Sequence, residues 1–373
     1  MKENMLKLAY LGGFGAMASP AAKHLSADGP AQVIRVHDRG KVDAAREEKR
    51  QSWRDHGASL VSDLESLVGK GDLDGVVVCA GKNGDDLPLV SELIRRLRAV
   101  APSQTRPFLL HLSTLSNSFV IAATEYAAEN GVDYVNYPLT GGPRGAELGG
   151  ADPQGMLILA GGNTELFEKL TPTLSRLGHP KYFGKQATAG TTVKLIGHLM
   201  VFNGCVAIAS AAALYAEDFC QGVLAGEKQS EFFEYLNRGA GGTRQWDVAL
   251  SKGIRQGIWD QGFLVKHAVV DALYAADAAR EAGLSRLAIS PMFNLALGFS
   301  FLLTTYPNPE PATHALAKIL HGEDANALDR FLLETSLPES DFDECIARIE
   351  QTLPTAVRQS VALRVRKDDF CAA

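Results

Sequence analysis

The string Gly13-Phe14-Gly15-Ala16-Met17-Ala18 has the composition of a phosphate cradle. Two glycines let the chain turn tightly and let main-chain N–H groups approach a pyrophosphate, and the pattern permits alanine at its third place. Where such a string follows a strand and opens a helix, the phosphates meet unpaired N–H groups at the positive end of the helix dipole. A second β-rich run, Val33-Ile34-Arg35-Val36-His37, ends at Asp38, 20 residues beyond Ala18. A carboxylate there accepts hydrogen bonds from the ribose hydroxyls of a dinucleotide. The expected cofactor contacts are therefore Gly13, Phe14, Gly15, Ala16, Met17 and Asp38, with Arg39 beside them and Ala80 just past a later β-rich run. Arg39 suits either stacking on adenine or pairing with the extra phosphate of NADP. Asp38 would repel that phosphate, which favours NAD over NADP.

Such a site needs a particular scaffold, and the first half of the chain reads as one. The runs Leu8–Leu11, Gln32–Val36, Gly75–Cys79, Phe108–Leu112, Tyr134–Tyr137 and Met156–Ala160 have strand character. Helical periodicity separates most of them, as in Pro88–Val100 and Asn117–Asn130. Alternating strand and helix predicts a mainly parallel, doubly wound α/β sheet of Rossmann type. After residue 187 the character changes. Thr191–Cys220 is proline-free and rich in Ala, Leu, Val and Ile, a long helix expected to be largely buried. Ser230–Asn237, Phe263–Ala282 and Pro291–Thr304 follow as helices. "YPNPEP" at 306–311 punctuates the chain, and two or three short helices are expected beyond it. The expected domains are thus 1–186 (dinucleotide-binding), 187–310 (an all-α substrate and dimerisation domain with a long interdomain helix) and 311–373 (a helical extension packed on it).

Further motifs fall in a telling order. "GGFGAM" near the start, "HLST" at 111–114, "YPLTGGPRGAELGG" at 137–150, "LILAGG" at 157–162 and "GTTVKLIGH" at 190–198 together resemble the β-hydroxyacid dehydrogenase family over roughly residues 6–305. That family includes 3-hydroxyisobutyrate dehydrogenase, tartronate semialdehyde reductase and, more distantly, 6-phosphogluconate dehydrogenase. The resemblance implies hydride transfer between nicotinamide and a small 3-hydroxyacid. It makes Lys194 the general acid and base at the substrate oxygen. A lysine suits that work because burial and nearby charge bring its two protonation states close in energy. It also implies that Ser113 holds the substrate carboxylate, and that Thr140, Gly141 and Gly142 form a turn whose N–H groups make a small anion nest beside it. Each residue has a plainer alternative. Lys194 would be a solvated lysine, Ser113 the cap of the helix starting near Asn117, and the glycines a tight turn.

The sequence departs from that family around the substrate. His198 stands where the family has an asparagine, one helical turn after Lys194 and on the same face. It would orient substrate, carry a proton, or simply pack; if protonated, it would lower the pKa of Lys194. In "GFLVKHAVVDALYAADAA" the family's Lys-Asp pair becomes Val270-Asp271. Asp271 keeps its place as a substrate contact, one positive charge is lost, and Lys266 lies one turn earlier as a conceivable substitute. Thr140 replaces serine, and His111 replaces the family's Asp or Asn. Trp246 is expected as an aromatic wall or a core residue, and the glycines at 239–242 suggest close backbone approach.

Bulk properties narrow the alternatives. The net charge of −6 gives no basic footprint for nucleic acid. No apolar run approaches bilayer-spanning length by this reading, so no membrane partner is expected. The five cysteines at 79, 205, 220, 345 and 371 form no C-x-x-C pair. They support neither a metal site nor a disulfide framework, and they fit a reducing, cytoplasmic setting. A homodimer is the family expectation. Two other readings stay open: a reductase of imines or of carbonyl compounds lacking a carboxylate, and an inert scaffold on a dehydrogenase fold.

Overall fold

The structure, a computed structural model, describes residues 5–25, 28–40, 43–102, 106–338 and 341–373. It divides into two units, Met1–Lys194 with Ala362–Ala373, and Leu195–Val361.

The first unit is built on six parallel strands: β1 (Leu6–Leu11), β2 (Ala31–His37), β3 (Ser59–Leu60), β4 (Gly75–Val78), β5 (Phe108–His111) and β6 (Asp133–Asn136), in the order β3-β2-β1-β4-β5-β6. This is the doubly wound order expected, with its switch point between β1 and β4. Alternation along β1 sends Leu8 and Tyr10 to one core, with Val33, Val77, Leu110 and Leu170, and Ala9 and Leu11 to the other, with Val76, Leu109, Ile94 and Phe119. Because helices cover both faces, β4 and β5 are buried at every position, as parallel strands must be. Side-chain caps set the helix starts. Asp43 accepts from the Arg46 N–H at 2.8 Å, and Ser116 accepts from Phe119 at 3.2 Å to begin Asn117–Glu129.

Several expectations need correction. The Met156–Ala160 run joins a separate three-stranded sheet. Its strand β8 (Leu157–Ala160) pairs antiparallel with β7 (Leu139–Thr140) and parallel with β9 (His179–Tyr182). Two helices expected to start at a proline start earlier, at Asn83 and Arg286, with Pro88 and Pro291 inside them. Each proline is the sixth residue of its helix and removes one i to i−4 bond from the second turn. The extension is not one body. Residues 311–361 go with the helical unit, whereas Ala362–Ala373 goes with the sheet unit. There Phe370 stacks on Tyr126 at 5.5 Å and meets Phe119 edge-on at 5.3 Å, and Ser91 donates to the Phe370 carbonyl at 2.6 Å.

The second unit is helical. Its core is formed by Val265–Glu281 against Arg286–Thr305, with Val269, Leu273, Leu297 and Phe299 buried. The tail contributes a 3-10 turn at Thr313–Ile319 and the helices Gly322–Thr335, Phe342–Thr352 and Thr355–Val361. The long helix runs Ala189–Cys220 and crosses from the first unit into the second. It is not largely buried: Ile196, Met200, Leu214 and Phe219 are all more than half exposed. By length and composition this helix and Arg286–Thr305 are each apolar enough to cross a membrane, a point the run-by-run reading missed because alanines and Asn203 interrupt the apolar stretch. Arg286–Thr305 is mostly buried, as a core helix of a globular protein is.

Candidate active site

The switch point lies where β1 and β4 turn away from each other, and it carries the glycine string. Gly12 holds the turn. Its φ is +83°, and a Cβ there would sit 2.2 Å from the Cys79 carbonyl oxygen, so only glycine fits. Gly13 is packed, with Val36 2.5 Å and the Trp53 indole nitrogen 3.1 Å from a would-be Cβ. Trp53 Nε1 donates to the Gly13 carbonyl at 2.8 Å. Gly15 is exposed and open, its nearest neighbour 3.6 Å away. This is the position where a pyrophosphate could approach main chain, and Ala16 beside it is also exposed.

The string does not open a regular helix, contrary to expectation. Tight turns run from Gly12 to Pro20, for example Gly15 N–H to the Gly12 carbonyl at 3.3 Å and Ala18 N–H to the Gly15 carbonyl at 3.1 Å. Only then does a four-residue helix, Ala21–His24, form. A helix so short adds little dipole, so the cradle relies on local N–H groups.

Asp38, at the end of β2, is tied into the same turn. One carboxylate oxygen accepts from Phe14 N–H at 2.9 Å, and the other from Gly40 N–H at 3.0 Å, with Arg46 at 3.5 Å. The Phe14 amide is therefore given to Asp38 rather than to a phosphate. The oxygen that accepts from Phe14 keeps a further lone pair, so a ribose hydroxyl still fits. Arg39 is exposed nearby in sequence, Lys49 donates to the Phe14 carbonyl at 3.1 Å, and Arg50 lies 5.6 Å from the Phe14 ring centre. The open glycine and the half-buried acid at the β2 end fit a dinucleotide.

Beyond β4, Ala80 is exposed, and its N–H donates to Ser113 Oγ at 3.2 Å. Burial pushes the neighbouring Cys79 thiol up to about 12, aided by the charge of Asp86, so it remains a neutral thiol. Ser113 lies just past β5 and is buried; the cap of Asn117–Glu129 belongs to Ser116, which sets aside the capping reading of Ser113. Asn136, the last residue of β6, donates to the carbonyls of His111 and Ser113 at 2.9 and 3.0 Å, and accepts from Thr191 Oγ at 2.7 Å. Thr191 is three residues before Lys194, which is half-buried on the first turns of the long helix. Thr140 is half-buried on β7. Gly141 and Gly142 follow exposed, at φ +131° and +68°, and a Cβ at Gly142 would meet nothing within 4 Å.

His111 is fully buried in a line of its own. The Tyr134 hydroxyl, kept protonated by burial and then by Asp86, donates to its Nδ1 at 2.9 Å, and its Nε2 donates to Asp86 at 2.9 Å. This histidine stiffens the end of β5 from inside the sheet.

In the second unit, His198 Nδ1 lies 3.7 Å from an Asp271 oxygen, and both are buried. The His198 ring packs against Phe202 and Phe263 at 5.2 and 6.1 Å. Val270 is fully buried. Lys266 is paired with Glu310 at 2.7 Å, so it is committed on the surface rather than replacing the lost charge. Trp246 is 2% exposed and stacks on Phe233 at 5.4 Å, which makes it a core ring and not a wall. Residues 237–243 form a closed turn in which Thr243 N–H bonds to Asn237 Oδ1 at 2.8 Å.

Sequence reasoning missed Gly12, Trp53, Asn136 and Thr191. The glycine doublet at 12–13 was a readable signal for the first. The others act through pairings between segments far apart in sequence, which no local pattern carries. Among the described residues, no group of three or more His, Cys, Asp or Glu is placed to hold a metal ion.

Comparison with known proteins adds to this picture. Residues 8–196 match the family model of the NAD-binding domain of 6-phosphogluconate dehydrogenase. A 2-(hydroxymethyl)glutarate dehydrogenase of Eubacterium barkeri is 30% identical over 173 residues, covering 46% of this chain and 54% of that protein; the chain thus spans about half the length of that relative. The uncharacterized oxidoreductase YkwC of Bacillus subtilis is 24% identical over 273 residues, 73% of this chain and 85% of its own. Two solved 3-hydroxyisobutyrate dehydrogenases share the fold. The one from Mycobacterium tuberculosis, solved with L-serine, has a TM-score of 0.64 at 20% identity and covers 85% of this chain and all of that one. The one from Salmonella typhimurium has 0.66 at 17%, covering 84% and 99%.

Proposed function

Because the chain belongs to the family of the NAD-binding domain of 6-phosphogluconate dehydrogenase, and with it to the β-hydroxyacid dehydrogenases, we propose that it is an NAD(P)-dependent oxidoreductase acting on the CH–OH group of a small 3-hydroxyacid. The relatives' names support a substrate class. 2-(Hydroxymethyl)glutarate, 3-hydroxyisobutyrate and L-serine, the compounds in their names, all contain HOCH2–CHR–COO−. We extend that class to this chain, as the alcohol or as the corresponding aldehyde.

A nicotinamide dinucleotide held by the glycine turn and Asp38 would supply the hydride chemistry. Lys194 takes the hydroxyl proton during oxidation and returns it to the carbonyl oxygen during reduction. Ser113 Oγ, which already accepts the Ala80 N–H, has its own proton left to donate to the substrate carboxylate. The N–H groups of the exposed turn at Thr140, Gly141 and Gly142 add a second anion contact. The observation that carries this reading is the buried Asn136 amide, which joins the Ser113 strand end to the helix turn leading into Lys194. Of the two cofactors, the Asp38 carboxylate supports NAD.

Lys194→Ala tests the proposal. It should lower kcat by about 10²–10⁴-fold, the usual worth of a positioned acid or base, while reduced cofactor binds as before. Full turnover in a folded Lys194→Ala protein would sink it. Ser113→Ala should raise KM for 3-hydroxyisobutyrate; unchanged kinetics would move the reading to an acceptor lacking a carboxylate.

The open face of the long helix supports a homodimer. Ile196, Met200, Asn203, Ala207, Ser210 and Leu214 recur at alternating steps of four and three, and the last five are exposed like the first. That spacing makes one seam along a helix. Asn203, Ser210, Glu217 and Asp218 lie exposed along it, a composition that a hydrocarbon phase penalises and a protein partner accepts. Leu214→Glu should convert the assembly to monomer in sedimentation. The five free thiols support a reducing, cytoplasmic setting.

A further inference from the structure

We propose that Asn136 and Thr191 are positioning residues, which set the distance between the carboxylate-binding serine and the proton-carrying lysine through a single buried side-chain amide. The inference rests on the functional reading of Ser113 and Lys194 given above.

Three hydrogen bonds carry the argument. The Asn136 amide nitrogen donates both of its protons, to the His111 carbonyl at 2.9 Å and to the Ser113 carbonyl at 3.0 Å. Its oxygen accepts the Thr191 hydroxyl at 2.7 Å. Asn136 and Thr191 are both fully buried. The orientation of the amide is fixed by its partners. Reversed, it would set an oxygen against two carbonyl oxygens.

The two carbonyls flank Leu112, so the amide holds the chain at the point where β5 ends and Ser113 begins. The Ser113 hydroxyl in turn meets the Ala80 N–H at 3.2 Å, which ties it to the exposed residue after β4. At the other end, Thr191 belongs to the first turn of the long helix, and Lys194 is on the next. Thr192 adds a weaker strut, its hydroxyl 3.2 Å from Asn117 Oδ1. Segments 55 residues apart are thereby locked in register by a fully buried group.

Such a lock matters because proton transfer demands close geometry. A displacement of about 1 Å in a reacting group can cost 10²-fold in rate. A fully buried Asn-Thr pair is shielded from bulk solvent, and its hydrogen bonds hold the spacing against side-chain fluctuation.

The experiment compares wild type with Thr191→Val and Thr191→Ser. Valine keeps the shape and removes the hydroxyl; serine keeps the hydroxyl and removes the methyl. Turnover of 3-hydroxyisobutyrate and 2-(hydroxymethyl)glutarate, binding of reduced cofactor by fluorescence, and amide hydrogen exchange over residues 189–194 are read on each. Thr191→Val should lower kcat by about 10–100-fold, leave cofactor affinity within about twofold, and speed exchange in the first helix turn. Thr191→Ser should restore kcat and exchange. Should Thr191→Val not fold, Thr191→Ala carries the same comparison, since it leaves room for a water at the amide. A valine variant that loses thermal stability but keeps kcat would overturn the proposal, as would a serine variant as slow as valine. Failure of the underlying functional reading looks different: Lys194→Ala then turns over like wild type, while the exchange difference between valine and serine persists.

Discussion

Two glycines three residues apart should respond to the same methyl group in opposite ways. Gly12 is buried with φ +83°, and a Cβ there would stand 2.2 Å from the Cys79 carbonyl oxygen and 2.8 Å from its carbon. These are main-chain atoms of the neighbouring strand end, which no side-chain rotation can move aside. Left-handed backbone costs an alanine about 1–2 kcal/mol, and forcing apart a packed contact adds about 1–3 kcal/mol. Gly12→Ala should therefore lose roughly 2–5 kcal/mol, a large share of the ~5–15 kcal/mol that holds a typical domain folded. Gly15 is exposed, has no left-handed φ, and would place its Cβ 3.6 Å from the nearest atom. Gly15→Ala should leave stability unchanged or raise it by up to about 1 kcal/mol, by stiffening the unfolded chain. Its cost should appear in binding. A methyl group on the surface where a pyrophosphate lies should weaken NADH and NADPH at least about tenfold, or roughly 1.4 kcal/mol. Urea titration and cofactor fluorescence on both variants separate the two effects. If folded Gly15→Ala binds reduced cofactor as wild type does, the phosphates do not lie on this turn. If Gly12→Ala keeps its urea midpoint, the contact argument fails.

Three further outcomes follow from other parts of the structure. Asp38→Asn removes a charge whose repulsion on a 2′-phosphate about 4 Å away is worth ~1–4 kcal/mol, so the preference for NADH over NADPH should shrink at least about tenfold in parallel binding titrations; an unchanged ratio would mean that Asp38 does not face the ribose. Phe370→Ala empties an aromatic site between Phe119 and Tyr126, at up to about 3–5 kcal/mol, and limited proteolysis should cut near residue 362 sooner, whereas an unaltered cleavage pattern would show that other contacts hold this segment. Burial lowers the His314 pKa below its ordinary value, against the opposing pull of its bond to the Ile258 carbonyl; the unfolded chain then takes up its proton first as pH falls through about 6.5, so stability is full above that pH and declines below it until the folded-state pKa is passed, and His314→Gln should flatten the slope of the urea midpoint between about pH 7 and 5.

The sheet was legible because its signals are local. The central strands β4 and β5 are short runs buried at every position, which local composition reveals, whereas the two-residue edge strand β3, Ser59–Leu60, carries no such signal and goes unread. What was not legible is pairing. Leu157–Ala160 is as apolar a run as β4, yet it sits in another sheet because β7 and β9 pair with it, and both are too short or too polar to be read as strands. The tail misled for a similar reason. Phe370 is one aromatic residue in a polar helix, and its packing on Phe119 and Tyr126, with the Asn83, Ser91 and Ser118 side chains bonded to the carbonyls of Ala362, Phe370 and Leu363, returns the last twelve residues to the first unit. At the site, the glycines and Asp38 were readable by type and spacing, whereas the commitment of the Phe14 amide to Asp38 and of Lys266 to Glu310 depends on neighbours that spacing cannot supply.

The division of the chain bears on how the substrate could change while the chemistry stays. The glycine turn, Asp38, Ser113, the turn at 140–142 and Lys194 all belong to the first unit, and buried hydrogen bonds join Ser113 to the segment that carries Lys194. The larger departures from the β-hydroxyacid dehydrogenase pattern, His198 for asparagine and Val270 for lysine, belong to the second unit, where His198 faces Asp271 in an apolar setting with Phe202 and Phe263. A buried His and Asp must be satisfied together, since either alone carries a desolvation penalty, so the two positions are coupled to each other. Replacing His198 by asparagine should therefore cost stability in the second unit and leave cofactor affinity untouched. A His198→Asn protein that loses NADH binding would mean that the two halves of the pattern are not separable in this way.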